Sequence, residues 1–365
     1  MTAQSGVDGR PAGWTGRADA KRLNLALQGG GAHGAFTWGV LDRILSDGRI
    51  EIGAISGTSA GAINAVVMTD GLMKGGPDRA RESLKVFWHR VSDYALATPF
   101  SGTPFDLLLS SWSGDSSPLS TWLDIFTRVA SPYDFNPLNL NPLRDLVEGE
   151  VDFARLRTCG FLDLFISATN VHTGRVRVFA TGEITVDAVL ASACLPHAFQ
   201  AVEIDGVPYW DGGYMGNPVL FPFFDCCASS DVLIVQVNPI ERATTPRTSR
   251  QIVERLNEIS FNAPLIRELR HVEFINQCLR RGDLKGSRYR EVFLHRIAGG
   301  HALDAYGAST KLNAQWHFLK TLRDLGRNAA EAWLAGSFDK IGHQSTLDLS
   351  EMAPPHPTRS NPGAS

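Results

Sequence analysis

Within its first seventy residues the chain twice runs from a short apolar strand through a glycine-rich turn into a helix. The first unit is Leu23-Asn24-Leu25-Ala26-Leu27-Gln28, then Gly29-Gly30-Gly31-Ala32-His33-Gly34, then a helix with Phe36, Val40, Leu41, Ile44 and Leu45 on one face, ending near Gly48. The second is Ile50 to Ile55, then Gly57-Thr58-Ser59-Ala60-Gly61, then a helix whose Ala60, Gly61, Ala62 and Ala65 permit close approach to a sheet. Strand, loop and helix in immediate succession imply parallel strands with helices packed on the sheet faces. The expected fold class is α/β with a central, mostly parallel sheet.

The rest of the chain extends this pattern. A helix leaves the second glycine turn and is expected to end at Asp70-Gly71, and another spans Arg79 to Leu96 with Leu84, Phe87, Trp88, Val91 and Tyr94 inward. Residues 98–141 mix Ser, Gly and Pro with Phe100, Phe105, Trp112, Trp122 and Phe126, a composition that suits an acyl-binding wall or lid and equally a small core of its own. Asn141-Pro142 opens a short helix, with asparagine as cap and proline in the first turn. Leu162 to Ala168 and Arg175 to Phe179 read as a hairpin, and a helix follows over Thr185 to Ala193. A second hairpin, Val202 to Ile204 with Val207 to Trp210, delivers the chain to Asp211-Gly212-Gly213. Val232 to Val237 is a buried-type strand, and Tyr289 to Ile297 alternates like another.

A C-terminal helical region covers about 248–335. Its first part carries the stripe Ile252, Leu256, Ile259, Leu265, Leu269, Val272, Ile275 and Leu279, with Pro264 expected to break or kink it. Its last part, about Ser309 to Trp333, carries Leu312, Trp316, Leu319, Leu322 and Leu325. The domain reading is a disordered arm over 1–20, one folded unit over 21–340, and a flexible Pro- and Ser-rich tail over 341–365.

A formal charge of -3 excludes a global field that would draw nucleic acid. Five irregularly spaced cysteines form neither a disulfide framework nor a zinc pattern, so no metal is expected and a reducing compartment fits. The N-terminus lacks the apolar core of a secretory signal, and no run is long enough to span a membrane. These features lead to a cytoplasmic expectation, with peripheral contact to a membrane or lipid surface left open.

Three glycine-flanked sites carry the chemistry. In Gly57-Thr58-Ser59-Ala60-Gly61 the serine stands at a strand-to-helix turn, a nucleophile elbow whose flanking Gly57 and Gly61 remove the Cβ atoms that would clash. Ser59 is the candidate nucleophile. In Gly29-Gly30-Gly31-Ala32-His33-Gly34 successive small residues let backbone N–H groups converge on an anionic oxygen. Gly29, Gly30, Gly31, Ala32 and Gly34 are the candidate oxyanion donors, with His33 in support. Asp211, between Trp210 and the pair Gly212 and Gly213, acts as the base if its carboxylate reaches the Ser59 hydroxyl.

These motifs, in this order, resemble those of the patatin-like phospholipases, and the likeness runs from about Leu23 to Asn217. The glycine loop is similar to the family's oxyanion loop, Gly57 to Gly61 to its Gly-x-Ser-x-Gly, and Asp211-Gly212-Gly213 to its Asp-Gly-Gly. The segment Ala191-Ser192-Ala193-Cys194-Leu195-Pro196-His197-Ala198-Phe199 resembles the family's Ala-Ser-x-x-x-Pro-x-x-Phe. His33 stands where the family often has Arg or Lys, and the family's oxyanion donors are mainly backbone groups. The resemblance implies a three-layer α/β/α fold and lipid acyl hydrolysis by a Ser59–Asp211 dyad through an acyl-enzyme, without metal or cofactor. The ester is a phospholipid or lysophospholipid on this reading, and an intracellular polyester such as polyhydroxyalkanoate, or a general ester, on the alternative.

Two rivals remain in view. Gly29-x-Gly31-x-x-Gly34 after a strand also fits a dinucleotide fingerprint, with Glu51 twenty residues beyond Gly31, but Glu51 stands near the start of the second strand where a ribose-binding acid stands at the end. His33 and His197 lie inside the motifs and are candidates for completing a triad, with a structural role as the alternative.

Overall fold

The computed structural model describes residues 19–97, 131–307, 310–311 and 313–349. Residues 1–18 of the arm expected over 1–20, the aromatic run from Phe100 to Phe126, Leu312 and the tail beyond 349 lie outside the described residues. Among the described residues eight strands form one sheet: β1 (Lys21–Leu27), β2 (Ile50–Gly57), β3 (Asp163–Asn170), β4 (Val176–Ala180), β5 (Val202–Ile204), β6 (Val207–Asp211), β7 (Asp231–Gln236) and β8 (Phe293–Ala298). Their order is β5-β6-β3-β2-β1-β7-β8, with β4 also on β3. The pairs β1–β2, β2–β3, β1–β7 and β7–β8 are parallel, whereas β4 and β6 join β3 antiparallel and β5 joins β6 antiparallel. The sheet is mixed and mostly parallel.

Side-chain alternation along the strands builds three layers. Leu23, Leu25 and Leu27 of β1 and Leu233 and Val235 of β7 face one core, with α1 (Gly34–Asp47), α2 (Ala60–Ala97) and a C-terminal helix, α6 (Trp316–Ser337), packed over them. Between these in sequence lie α3 (Pro142–Glu150), α4 (Val186–Ser192) and α5 (Ser249–Arg281). Ala26, Val232 and Ile234 face the opposite core, which Leu265, Leu269 and Val272 of α5 close together with Leu220 and Phe223. Strands buried on both faces are the reason they read as unbroken apolar runs. Both hairpins, the Asn141 cap on α3 and the Thr185 cap on α4 form as the local residues direct.

Four expectations are corrected. The helix after the Ser59 turn passes through Asp70-Gly71, because Asp70 is buried and paired with Lys74 one turn on (2.7 Å) and with Arg155. It breaks instead at Gly75-Gly76, where Gly76 has φ 77, just ahead of Pro77. Helix α5 continues through Pro264 without interruption. Its apolar stripe divides: Leu265, Leu269 and Val272 are buried, while Ile252, Leu256 and Ile259 are exposed because that half of the helix extends past the second core. Residues 341–349, expected as tail, are held: Leu347 and Leu349 are buried, Leu347 N–H bonds the Leu294 carbonyl of β8, and Lys21 Nζ ties the Phe338, Asp339 and Ile341 carbonyls to β1.

The tightest helix crossing is that of α1 with α6. A Cβ on Gly326 would fall on the Phe36 carbonyl oxygen, and one on Gly39 would fall on the Arg323 carbonyl. Overpacking such a crossing costs about 1–3 kcal/mol. Gly326→Val is therefore expected to lower the denaturation midpoint by that order in urea unfolding, whereas the same change at Gly336, which has open space around it, should be nearly neutral.

Candidate active site

The C-terminal ends of β1 and β2 carry the two glycine turns side by side, in the register Leu27↔Gly57. Strand β3 sets the third element. Gly57 pairs with Ile166, and Asp211 at the end of β6 pairs with Ala168, two residues further along the same strand. A parallel neighbour and an antiparallel neighbour on β3 thus bring Ser59 and Asp211, 152 residues apart in sequence, to one edge of the sheet.

Ser59 sits in the turn between β2 and α2 with φ 53, the left-handed region that a non-glycine residue occupies only under constraint. Its own N–H donates to Ser192 Oγ (2.8 Å), and Thr58 Oγ1 donates to the Gly216 carbonyl (2.8 Å), so hydrogen bonds from two other segments hold the turn. Gly57 closes β2 and Gly61 lies in the first turn of α2, beneath the Leu27 carbonyl. The glycine loop rests on this turn, for a Cβ on Gly29 would lie 2.7 Å from that of Ser59. Gly31 adopts φ +59 and so needs no Cβ.

Of the five residues expected to offer backbone donors, two have theirs engaged. Gly29 N–H donates to Asn217 Oδ1 (2.7 Å), and Gly34 N–H donates back to the Gly31 and Ala32 carbonyls. Among the described residues the N–H groups of Gly30, Gly31 and Ala32 meet no acceptor. Beneath the loop lies a buried amide web. Gln28 Oε1 accepts from the N–H groups of Val237 and Asn238 (3.0 Å each), and Gln28 Nε2 donates to Asn262 Oδ1 and the Asn217 carbonyl (3.2 Å each). Asn238 Nδ2 donates to the Gly29 carbonyl (2.7 Å).

Asp211 is fully buried. Its Oδ1 accepts from Gly213 N–H (2.7 Å), while Oδ2 has no hydrogen-bond partner among the described residues. Burial pushes its pKa up to about 7, opposed by the Gly213 N–H and by the Ser59 hydroxyl, which lies near enough to favour the carboxylate without a formed hydrogen bond. The charge is felt by its neighbours: the Cys194 thiol and the Tyr214 hydroxyl are each pushed up to about 12, first by burial and then by Asp211. Gly212 and Gly213 form the turn behind the aspartate, with Phe261 of α5 packed against Gly213.

Neither histidine joins this pair. His197 is exposed. His33 is buried, and its pKa falls to about 3 through that burial and the nearby charges of Lys311 and Arg242. Thr310 Oγ1 donates its proton to the Gly307 carbonyl (2.8 Å) and so accepts from His33 Nε2 (2.7 Å), which places the single imidazole proton on Nε2. Glu51 pairs in register with Arg22 at the far end of β1 from the glycine loop, which removes it from any ligand bound there.

The model of the family described as patatin-like phospholipase matches residues 25–224, more than half of the chain. The chain belongs to the patatin-like phospholipase family, whose members are lipid hydrolases acting on lipid esters. Among solved structures it is similar to VipD from Legionella pneumophila, at 14% identity and TM-score 0.37, covering 83% of this chain and 67% of that one. It is also similar to ExoU of the type III secretion system of Pseudomonas aeruginosa in its complex with SpcU, at 17% identity and TM-score 0.38, covering 88% of this chain but about half (52%) of that one. No curated protein matches. No helix among the described residues is long and apolar enough to cross a membrane.

The raised pKa of Asp211 has a sign for stability. Below the unfolded pKa near 4 the neutral acid is buried without penalty, and between there and about 7 the folded state holds a proton that the unfolded chain releases. Stability from this group is therefore lost as pH rises from about 4 through 7. Asp211→Asn is expected to melt at a higher temperature than the wild type at pH 8, and the gap should narrow at pH 5 in calorimetry.

Proposed function

We propose that the protein hydrolyses the carboxylic ester of a phospholipid or lysophospholipid through a Ser59–Asp211 dyad. The observation that carries this reading is the buried carboxylate of Asp211, near enough to the Ser59 hydroxyl to feel it, with Oδ2 unpartnered among the described residues and a pKa pushed up to about 7. A carboxylate of that basicity is a far better proton acceptor at neutral pH than an ordinary aspartate.

Asp211 takes the Ser59 proton as Oγ attacks the ester carbonyl. The oxygen of the tetrahedral intermediate receives the free N–H groups of Gly30, Gly31 and Ala32. Protonated Asp211 then gives its proton to the departing alcohol, leaving an acyl-serine. Water, deprotonated by the same carboxylate, adds to the acyl carbon, and collapse of the second intermediate returns the proton to Ser59 and releases the fatty acid. A protonated imidazole is not required at any step, which agrees with the neutral His33 and the exposed His197. An intracellular polyester or a simpler ester would use the same steps.

Ser59→Ala is expected to abolish both p-nitrophenyl ester hydrolysis and labelling by a fluorophosphonate probe, with the fold retained by circular dichroism. Asp211→Asn should reduce turnover by about 10³-fold or more, while His197→Ala stays near wild type; a greater loss in His197→Ala than in Asp211→Asn would overturn the dyad. Lipidomic profiling of wild type against Ser59→Ala identifies the ester that accumulates, and accumulation of polyester rather than phospholipid would move the assignment to the alternative.

A further inference from the structure

The glycine loop has a second support that comes from outside the family-matched range. Lys311 and Thr310 lie between a short helix after β8 (Gly300–Asp304) and α6, more than eighty residues past the end of that match at 224. They meet the loop at two points and reach it at a third through Asn238. The Lys311 carbonyl stands against the Cα of Gly31, Thr310 accepts the His33 Nε2 proton, and Lys311 Nζ donates to Asn238 Oδ1 (2.6 Å).

We propose that Lys311 is a positioning residue for the hydrolysis proposed above, on which this inference rests: acting through Asn238, its ammonium aims and strengthens the Gly30 N–H as an oxyanion donor. The path is continuous. Lys311 Nζ donates to Asn238 Oδ1, Asn238 Nδ2 donates to the Gly29 carbonyl (2.7 Å), and that carbonyl belongs to the same peptide as the Gly30 N–H. The Gly29–Gly30 peptide is trans, so its C=O and N–H point in opposite directions. Holding the carbonyl on the Asn238 side turns the N–H to the other side, where it meets no acceptor among the described residues. Hydrogen bonds in series polarise one another, and a cation at the far end makes the terminal N–H a stronger donor to an oxyanion.

The loop itself supplies no cation, since residues 29–34 include neither Lys nor Arg and His33 is neutral. Lys311 is not consumed by a carboxylate of its own. Among the described residues Glu258 is paired with Arg242 (2.6 Å) and Arg255 (3.1 Å), and Lys311 forms no ion pair. The charged groups facing it are Glu258 and Glu254 from α5 and Arg242 from the segment after β7, with His33 uncharged in the loop. Burial lowers its pKa to about 8; Glu258 and Glu254 oppose that shift and Arg242 adds to it. The ammonium is thus charged at neutral pH and lost in mild alkali. Cys194 and Tyr214, the other groups near the dyad with acidic protons, titrate near 12 and leave that range clear.

The test is kcat and KM for p-nitrophenyl butyrate, as functions of pH, in wild type, Lys311→Met, Lys311→Arg and Ser59→Ala. Lys311→Met is expected to lose about tenfold to a hundredfold in kcat, with KM changed by less than about twofold, because the oxyanion exists only beyond the ground state. The wild-type kcat profile should fall above pH about 8, and in Lys311→Arg that alkaline limb should move up by two pH units or more while activity at neutral pH is largely kept. A purely structural lysine would lower the melting temperature without moving the limb. Wild-type kcat in Lys311→Met, or an alkaline limb unchanged in Lys311→Arg, overturns the proposal; if Lys311→Met does not fold, the arginine profile alone decides. Inactive Ser59→Ala beside unimpaired Lys311→Met removes only the positioning role, whereas active Ser59→Ala removes the dyad as well.

Discussion

A carboxylate taken out of water with no cation beside it among the described residues is the constraint on which the site depends. Asp211 is buried, receives one backbone N–H on Oδ1 and leaves Oδ2 without a partner. Ordinary folding would replace such a group, because burying an ionised carboxylate with too few hydrogen bonds is unfavourable. The protein keeps the group and answers with a rigid surround. Thr169 Oγ1 donates to the Asp211 carbonyl, Asp211 N–H donates to the Cys194 carbonyl, and β6 is paired to β3 at this residue. The aspartate has no softer environment to turn into, and so its raised pKa persists as a property of the fold.

The serine turn obeys the same logic from the opposite side. A left-handed Ser59 is strained by itself, and strain persists only where the surround over-determines it. Here Ser192 Oγ holds the Ser59 N–H, Thr58 is tied to Ser167 and Gly216, and Gly29 packs so close to the Ser59 Cβ that it has no room for a side chain. Below the loop the side chains of Gln28, Asn217, Asn238 and Asn262 interlock with backbone groups of three segments. Most of the polar atoms in that web are paired, which is the condition under which a buried polar network stiffens a structure. The chain has placed its rigidity under the groups that must not move.

This division also explains what could be read from the sequence. Gly29 to Gly34, Gly57 to Gly61 and Asp211 to Gly213 are legible because each answers a local demand of the backbone: a tight turn, a positive φ, or a strand that must end. The parallel sheet followed from the same turns. The residues that hold those turns were not legible as such. Gln28, Asn217, Asn238 and Lys311 act through partners about 190 to 280 positions away or on other elements, and a lone amide at a strand end carries no sign of what it will bond. Ser192 was visible only as part of a motif, without its bond to the Ser59 N–H. The loop donors show the limit clearly. Gly29 and Gly30 look alike in sequence, yet the first N–H is spent on Asn217 and the second meets no acceptor among the described residues. Helix α5 fails for a related reason: its periodicity is continuous, but only the half beside β7 and β8 finds a core to enter.

In the proposed dyad the base is a carboxylate instead of an imidazole for an electrostatic reason. A serine needs a base that is unprotonated near neutral pH yet basic enough to take its proton. Imidazole meets that requirement in water, whereas a carboxylate meets it only when desolvated. Burial moves the two groups in opposite directions, as His33 near 3 and Asp211 near 7 show within one site. A dry pocket that would disable a histidine is therefore the pocket that makes an aspartate useful. Once the site excludes water to that degree, the base is most effective as an acid residue, and the positive charge that an imidazolium would have supplied must come from elsewhere. In the role proposed for Lys311, that charge reaches the glycine loop through the Asn238 amide, from the segment between β8 and α6.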